Sequence, residues 1–521
     1  MTTSVQQRVA DTKMLAKKNS RECESGLAVV VMAAGLGKRM QSKVVKVLHP
    51  VAGRPMVLYS VELGLRLTGH RIAVVVGHQA DQVGQVIREA TAGANGPEEI
   101  SIVKQKELLG TGHAVLQTRA VFEEVGRPAP ARYLILNGDT PLLRESTVRE
   151  LLRVHHEEGA TVTMLTAVLD DAGGYGRVVR RSSGGGQVQR IVEDRDAVGE
   201  EKRIREINVG TYVVDGNFLF PALEKLQPSN AQGEYYLTDI VQMAVAQGRR
   251  VAAVVLDHPD EGLGVNTRRQ LAEVEQVVRR QIRDRWLDAG VRMIDPGSTW
   301  IDAGVTIGTD TVLYPNVMLE GKTVLGEDCI VRSGTRITDC TIGDRVEILD
   351  HCVFHDSRIE DDATLGPFTH LRPHVLIRKR AKVGNFVEMK KTELGEGSKA
   401  NHLTYLGDAK IGNGVNIGAG TITCNYDGVR KADTIIGDGV FVGSDTQLIA
   451  PVTVGSGSVI AAGTTVTQSV PADSLVISRV AQATKPGWAS KRRALAEQLP
   501  QKHRKVVRKS ARTNNRKGKT R

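Results

Sequence analysis

The chain is poor in aromatic residues, which occupy 4% of its 521 positions, so its cores must be built mainly from aliphatic side chains. Long hydrophobic runs are missing too. None approaches the ~20 apolar residues needed to span a bilayer, so no membrane span is expected. The first 26 residues carry Lys13, Lys17, Lys18 and Arg21 without the apolar stretch of a signal peptide, and a cytoplasmic location is expected. The cysteines are few and odd in number: Cys23, Cys329, Cys340, Cys352 and Cys424. None forms a C-x-x-C or a Cys/His cluster at zinc spacing, so neither a disulfide framework nor a structural metal is indicated, and free thiols are expected. Negative charge is lacking only at the end. Lys491–Arg521 holds 13 Lys/Arg and one Glu, a charge of +12, which leaves about −1 of the formal +11 for everything else. That tail has no interleaved aromatics to stack on bases, so no specific nucleic-acid partner is expected, and any polyanion binding there is non-specific and salt-dependent.

What the chain does have is a beat of six. An aliphatic residue falls at Ile301, Ile307, Leu313, Leu319, Leu325, Val331 and Ile337, and again at Ile436, Val442, Leu448, Val454, Ile460 and Val466. Six fits neither a 3.6-residue helix nor a two-residue strand, so each hexapeptide reads as one short strand plus a turn, stacked coil upon coil as a parallel β-helix. Gly follows the aliphatic position at Gly308, Gly326, Gly437, Gly443 and Gly455, where a tight corner is expected to need a backbone without Cβ. Such a prism can also be a mere spacer or oligomerisation scaffold.

The length calls for more than one domain. From Leu27 the run L-A-V-V-V-M reads as a buried strand, and further apolar runs at Ile72–Val76, Tyr133–Leu136 and Thr161–Val168 alternate with helical patterns at Gln82–Ala90 and Ser146–His155. That alternation marks an α/β domain with a mostly parallel sheet, Rossmann-like in its layering. Between Thr267 and Gly290 the apolar positions Leu271, Val274, Val278, Ile282 and Trp286 fall three or four apart, which predicts a connecting helix stopped by the glycine. The expected division is a disordered extension over 1–26, the α/β domain over 27–265, a linker helix over 266–293, the β-helix over 294–486 and a disordered basic tail over 487–521.

The first strand runs into Ala33-Ala34-Gly35-Leu36-Gly37-Lys38-Arg39, and a glycine-rich turn after a strand brings backbone N–H groups to a phosphate. A P-loop needs Ser or Thr where Arg39 stands, and a dinucleotide fingerprint needs Gly where Met40 stands, so both fail. The remaining pattern, A-A-G-x-G-x-R-M with a later Lys46, resembles the signature of nucleotide-sugar pyrophosphorylases, with Val45 where that family has Pro. The resemblance implies that Arg39 and Lys46 act on the phosphates of a nucleoside triphosphate. It places Ala33, Ala34, Gly35, Gln105, Gly110, Thr111, Asn137 and Asp139 around the nucleotide, and Gly176, Glu193 and Asn208 around an N-acetylated sugar. Asp139, after a strand in Asn137-Gly138-Asp139, is placed like a ligand of Mg²⁺, which prefers one or two protein oxygens. By the same resemblance Asn266 gives the second.

Between about Arg372 and Tyr426 the six-residue beat breaks. The strings G-N-F-V-E-M-K-K, K-A-N-H-L-T-Y-L-G-D and V-N-I-G-A-G-T-I-T-C-N-Y-D-G there concentrate Lys, His, Tyr, Asn and Glu. They resemble closely the acetyltransferase half of the bifunctional N-acetylglucosamine-1-phosphate uridylyltransferase / glucosamine-1-phosphate N-acetyltransferase family, and the combined likeness covers roughly residues 27–488. The implied chemistry takes glucosamine 1-phosphate and acetyl-CoA to N-acetylglucosamine 1-phosphate, then couples that product to UTP. A sugar amine titrates at roughly 8, and only its neutral form attacks a thioester, so a base is required. His402 is the only histidine between Lys390 and Tyr426 and suits the task. Arg372 and Lys390 are implied to clamp the sugar phosphate, Tyr405 and Asn416 to orient the ring, and Glu388 to polarise His402. Ala419, Asn425, Tyr426, Ser444, Ala462 and Arg479 are implied to hold acetyl-CoA between adjacent prisms, hence as a homotrimer. Asn401 stands where some relatives have Gly.

Two other readings remain at this stage. One is a pyrophosphorylase whose β-helix only trimerises. The other is a metal site on the prism, raised by the spacing of His351, His355, His370 and His374.

Overall fold

The run from Leu27 to Ala33 (β1) is entirely apolar because both of its faces are covered, and in the computed structural model it is a central strand of the first domain. The structure describes residues 26–498 except Leu36, 69–70, His78, 93–99, 124–127 and 182–185. Most of the expected N-terminal extension and residues 499–521 of the tail therefore lie outside the described residues.

Eight further strands join β1: Ile72–Val76 (β2), Ile100–Lys104 (β3), Arg132–Asn137 (β4), Val162–Val168 (β5), Arg177–Arg180 (β6), Val188–Val192 (β7), Glu206–Asp215 (β8) and Val251–Val255 (β9). The sheet order is β9-β5-β8-β4-β1-β2-β3, with the β6–β7 hairpin attached to β8. The pairs of β1 with β2 and β4, of β2 with β3 and of β5 with β9 are parallel, while β8 runs antiparallel between β4 and β5. Helices Met56–Thr68, Ala80–Thr91 and Glu145–Glu157 are amphipathic and cover the sheet with their Val, Leu and Ile faces.

The connecting helix spans Arg268–Asp288. Its start is fixed by a capping box: the Thr267 hydroxyl accepts from Gln270 N at 3.2 Å and Gln270 Oε1 accepts from Thr267 N at 3.1 Å. Gly290, at φ +89°, turns the chain out of it. Val274, Val278 and Ile282 pack into the same core as the first coils of the prism and as Val51 and Met56 of the α/β domain, so one apolar core runs through the junction. Arg279 ties it polar-side, pairing with Glu275 at 2.6 Å and Asp302 at 3.2 Å and lying over the Trp300 ring.

From Arg292 on, short strands pair in parallel with the strand three along, which gives three flat faces per turn of a left-handed β-helix. Each face points one aliphatic residue inward, as Ile301, Leu319 and Ile337 do along one wall, and each such burial contributes about 1.5–3 kcal/mol. The left-handed backbone conformation that turns each corner falls to Asp310, Asp328, Arg345 and Asp362 along one edge and to His351, Phe368, Phe386 and Leu403 along another. The glycines after the aliphatic positions have a different reason from the one expected. A Cβ at Gly308 or Gly326 would lie 2.5 Å from backbone of the next coil, so the constraint is the spacing between coils and not a turn.

The lost beat does not mark a lost fold. Ile337 pairs with Phe354, a step of 17 residues where Leu319 to Ile337 takes 18, so one corner per coil has dropped a residue. The larger break is local: Ile411 pairs with Ile436, a step of 25, against 18 from Ile436 to Val454. The surplus forms an excursion closed by a bridge between Tyr426 and Lys431. After the last coil, Trp488–Gln498 is a helix, where disorder was expected for 487–521. Its sequence, W-A-S-K-R-R-A-L-A-E-Q, is dominated by strong helix formers, and that local preference outweighs the polarity on which the expectation rested.

Candidate functional sites

β1 and β4 lie side by side, with Met32 opposite Asn137, so the turns that follow them meet at one edge of the sheet. Strand order reverses at this pair, which is where an open α/β sheet leaves its crevice. Ala33 closes β1; Ala34 and Gly35 follow, and a Cβ at Gly77 would come 2.4 Å from the Ala34 carbonyl oxygen, so the turn rests against the end of β2. Gly37 has φ +59°, and a Cβ on it would sit 2.6 Å from Lys46 Cβ. The lysine stem therefore crosses the glycine turn. Its ammonium pairs with the Asp139 carboxylate and donates to Asn266 Oδ1 at 3.1 Å. Gly138 N donates to Met32 O at 2.9 Å and Val265 N to Asp139 O at 3.0 Å, which hold both oxygen-bearing residues in place. Arg39 is exposed on the short turn Lys38–Met40. Burial raises the Tyr175 hydroxyl above its usual range; the Asp139 charge adds to the rise and Arg39 opposes it, so both charges stand near that ring. Asn137 is spent on the scaffold, its amide donating to Val209 O at 3.3 Å.

Gln105 follows β3 and is anchored by its N–H to Val76 O at 2.8 Å. Gly110, at φ +108°, passes so close to Tyr235 that a Cβ would lie 2.7 Å from its carbonyl oxygen, and Thr111 Oγ1 accepts from Leu237 N at 3.0 Å. On the other side of β4, Gly176 O accepts from Asn208 N at 2.8 Å, and a Cβ at Gly176 would lie 3.6 Å from both Glu193 carboxylate oxygens. Glu193 and Asn208 therefore meet at Gly176. Burial pushes the Glu193 carboxyl above the usual carboxylate range, against the opposing hydrogen bond from Thr238 Oγ1 at 3.1 Å.

In the β-helix two long strands, Lys382–Leu394 (β10) and Lys399–Ile411 (β11), stack in register with Asn385 opposite His402, Glu388 opposite Tyr405 and Lys390 opposite Gly407. His402 is exposed beside the corner residue Leu403. The registers Ala400–Ile417, Ile417–Val442 and Val442–Ile460 put Ala419, Ser444 and Ala462 directly in line with His402 on successive coils. Arg479 reaches the same edge one coil on, its Cδ 3.5 Å from where a Gly463 Cβ would be. Asn416 lies on the adjoining face, opposite Lys399. At the next corner Arg372 and Lys390 stand on neighbouring coils. The ammonium of Lys431 pushes the Lys390 amine below the usual lysine range, and Arg372 adds to the push. Three cations thus gather at this corner, with the Glu388 carboxylate on Arg372 Nη1 at 3.0 Å beside them. A Cβ at Gly407 would strike the Tyr405 hydroxyl at 2.4 Å and the Asn425 amide at 2.9 Å, so both side chains reach across that glycine. Asn425 donates to Asp408, which also pairs with Lys391 at 3.2 Å, and Tyr426 opens the excursion.

Three expectations need correcting or extending. Within one chain Glu388 is not the partner of His402; it takes Arg372 Nη1 at 3.0 Å, and the register sets it against Tyr405. Lys431 was missed, since it lies beyond the cluster in sequence and only the seven-residue lengthening of its coil brings it back. The prism histidines make local contacts: His351 stacks on Phe368 at 5.2 Å and His374 pairs with Asp356 at 3.0 Å.

Among known families, the MobA-like NTP transferase domain matches residues 29–262 and the bacterial transferase hexapeptide (six repeats) matches residues 433–468. The chain is 49% identical over 466 residues to "Bifunctional protein GlmU" of Pelobacter propionicus, covering 89% of this chain and 98% of that one. The protein of the same name from Trichlorobacter lovleyi is also 49% identical with the same coverage, and that from Listeria monocytogenes serotype 4a is 47% identical over 460 residues, covering 88% and 97%. A solved structure of UDP-glucose pyrophosphorylase complexed with UDP-glucose covers 49% of this chain and 98% of its own at 17% identity, with a TM-score of 0.39.

Proposed function

The chain belongs to the bifunctional GlmU family, and from that premise we propose how its residues divide two reactions of UDP-N-acetylglucosamine synthesis. The enzyme is both a nucleotidyltransferase and an acyltransferase, with nucleotide and sugar-phosphate substrates. The α/β domain over 27–265 performs uridylyl transfer, the 266–293 segment joins it to the prism, and the prism over 294–486 performs acetyl transfer.

In the prism, glucosamine 1-phosphate docks its phosphate on Arg372, Lys390 and Lys431, with Tyr405 and Asn416 against the ring. His402 accepts a proton from the sugar nitrogen as that nitrogen attacks the thioester carbonyl of acetyl-CoA; the C–S bond breaks and CoA leaves as the thiol. The cofactor lies along the edge marked by Ala419, Ser444, Ala462 and Arg479, and Asn425 and Tyr426, which stand at the Lys390 corner, are brought to it by the neighbouring prism. His402 and Lys390 occupy different corners of one prism, so a complete site draws on neighbouring copies, and we assign a homotrimer. The exposed apolar edge supports that: Phe368, Phe386 and Leu403 are 47%, 59% and 64% exposed in the single chain although the two rings stack at 5.2 Å.

In the α/β domain an oxygen of N-acetylglucosamine 1-phosphate attacks the α-phosphorus of UTP in line and pyrophosphate leaves, a reaction that needs positioning and charge neutralisation. Ala33, Ala34 and Gly35 offer backbone to the phosphates, Arg39 and Lys46 offer cations, Gln105, Gly110 and Thr111 meet the base, and Gly176, Glu193 and Asn208 hold the sugar. Asp139 and Asn266 already share one cation, the Lys46 ammonium, and two hard oxygens so placed fit Mg²⁺, which leaves its other positions to phosphate and water. Bound there, the ion supplies charge neutralisation on the phosphates. The cytoplasm is the location we assign.

The observation that carries the two-step reading is an exposed imidazole at one corner and the Arg372, Lys390 and Lys431 cations at the next, on coils that a spacer would leave neutral. Incubation with glucosamine 1-phosphate, acetyl-CoA, UTP and Mg²⁺, each omitted in turn, should give UDP-N-acetylglucosamine only from the full mixture. His402→Ala should abolish acetyl transfer and spare uridylyl transfer; both activities unchanged would reduce the prism to a scaffold.

A further inference from the structure

Gln105 is 4% exposed, and its side-chain nitrogen is 3.2 Å from Gly110 O and 3.0 Å from His113 Nδ1. A backbone carbonyl only accepts, so the NH₂ end of the amide must face inward. The other end, Oε1, has no partner among the described residues and is not among the sealed polar atoms, so it is the atom offered to the crevice. His113 is the second support of that orientation, and it is contested. Its Nε2 lies 3.1 Å from the side-chain nitrogen of Gln117, so two NH₂ groups address the two nitrogens of one imidazole. A neutral imidazole has a single acceptor. One amide must turn. Gln117 is half-exposed, and the 3.3 Å bond of its NH₂ to His113 O can be replaced by water when it turns, whereas Gln105 is 4% exposed and would set its oxygen against that of Gly110. The ring is therefore held as acceptor at Nδ1 and donor at Nε2.

We propose that His113 is a specificity-positioning residue: by accepting from the Gln105 amide through Nδ1 it keeps Gln105 Oε1 turned outward, which selects uracil over cytosine. The inference rests on the reading of Gln105 as a base contact. Uracil presents a donor at N3, which Oε1 accepts; cytosine presents a lone pair at the same place, which Oε1 repels. An amide alone does not make this choice, because rotation by half a turn exchanges its ends at little cost. Gly110 O and the imidazole together supply the asymmetry, and the imidazole holds the shorter of the two contacts.

The test compares kcat/KM for UTP and CTP in the full-length enzyme, with acetyl transfer measured alongside as a check on the fold. Removing one acceptor from a buried amide is worth about tenfold to a hundredfold. His113→Phe should lower the UTP-to-CTP ratio by that factor, through a higher KM for UTP and with kcat at saturation nearly kept. His113→Asn, whose oxygen lies close to the position of Nδ1, should retain most of the discrimination. An unchanged ratio in His113→Phe, or a loss in His113→Asn as large as in His113→Phe, would overturn the inference. If Gln105→Ala also leaves the ratio unchanged, the base is not read at Gln105, and the failure lies in the parent reading.

Discussion

Gly384 lies one coil away from the residue beside the proposed base, and the space between them is smaller than a methyl group. A Cβ at Gly384 would lie 2.0 Å from Asn401 O, 2.6 Å from its C and 2.8 Å from its Cα. Ordinary contact begins at 3.4 Å, so Gly384→Ala must drive the Asn401 carbonyl back by 1.4 Å. Strands in a ladder stand about 4.8 Å apart, so the shift is nearly a third of the coil spacing. Overpacking of this kind costs about 1–3 kcal/mol, and each ladder hydrogen bond stretched nearby adds about 0.5–1.5 kcal/mol. Because Asn385 and His402 are register partners, the imidazole moves with its neighbour, and a displacement of about 1 Å can cost 10²-fold in rate. Acetyl transfer, followed by release of the CoA thiol, should thus fall about a hundredfold, while pyrophosphate release from UTP stays near wild type. Gly397→Ala is the control: its φ is +66° and nothing lies within 4 Å, so it bears only the left-handed backbone cost of about 1–2 kcal/mol and keeps both activities. A Gly384→Ala enzyme that acetylates at the wild-type rate would refute the close-stacking account of the site.

Other outcomes follow from charges and burial. Lys431→Ala should raise KM for glucosamine 1-phosphate, weaken the salt dependence of acetyl transfer and spare uridylyl transfer; an unaltered KM would remove Lys431 from the anion site. The Glu193 carboxyl is raised by burial, so the native state favours its protonated form, and ionising it costs stability once pH rises through the folded value. Glu193→Gln should therefore stabilise the α/β domain at neutral pH, show no gain below the ordinary carboxylate range and weaken sugar binding, as thermal melts at the two pH values would reveal. Burial pushes the thiols of Cys329, Cys340 and Cys352 up to about 11, 12 and 11, so a thiol reagent near neutral pH should leave them unmodified until the prism unfolds, as mass spectrometry of native and denatured protein can check.

The fold was legible where one residue type had one job. Aliphatic residues at every sixth position turn inward on every face, and Thr267 and Gln270 cap a helix whose apolar stripe the spacing predicts. The reading weakened where the cause lies between segments distant in sequence. Gly308 and Gly326 read as corner glycines, because a single sequence does not display the backbone of the next coil. The resemblance implied Glu388 as a partner of His402, but a ladder pairs residues by register, and within one chain the register gives it to Tyr405 and Arg372. Lys431 carries no local signature at all. Its only trace is the long interval between Ile411 and Ile436, which reads as a lapse in rhythm until the coils on both sides are seen to continue.

Asn266 sits just ahead of the Arg268–Asp288 helix and not on any strand of the sheet, and it lies beyond residue 262, where the match to the NTP transferase family ends. Its backbone N–H is fixed by Gln270 Oε1 at 2.8 Å, inside the helix's first turn. Dissecting the chain into halves at residue 265 would consequently strip the sheet of the amide oxygen that grips Lys46. A cleavage point after Asp288 leaves that oxygen and its anchor attached, so it is the later cut that keeps the grip on Lys46 in the N-terminal fragment.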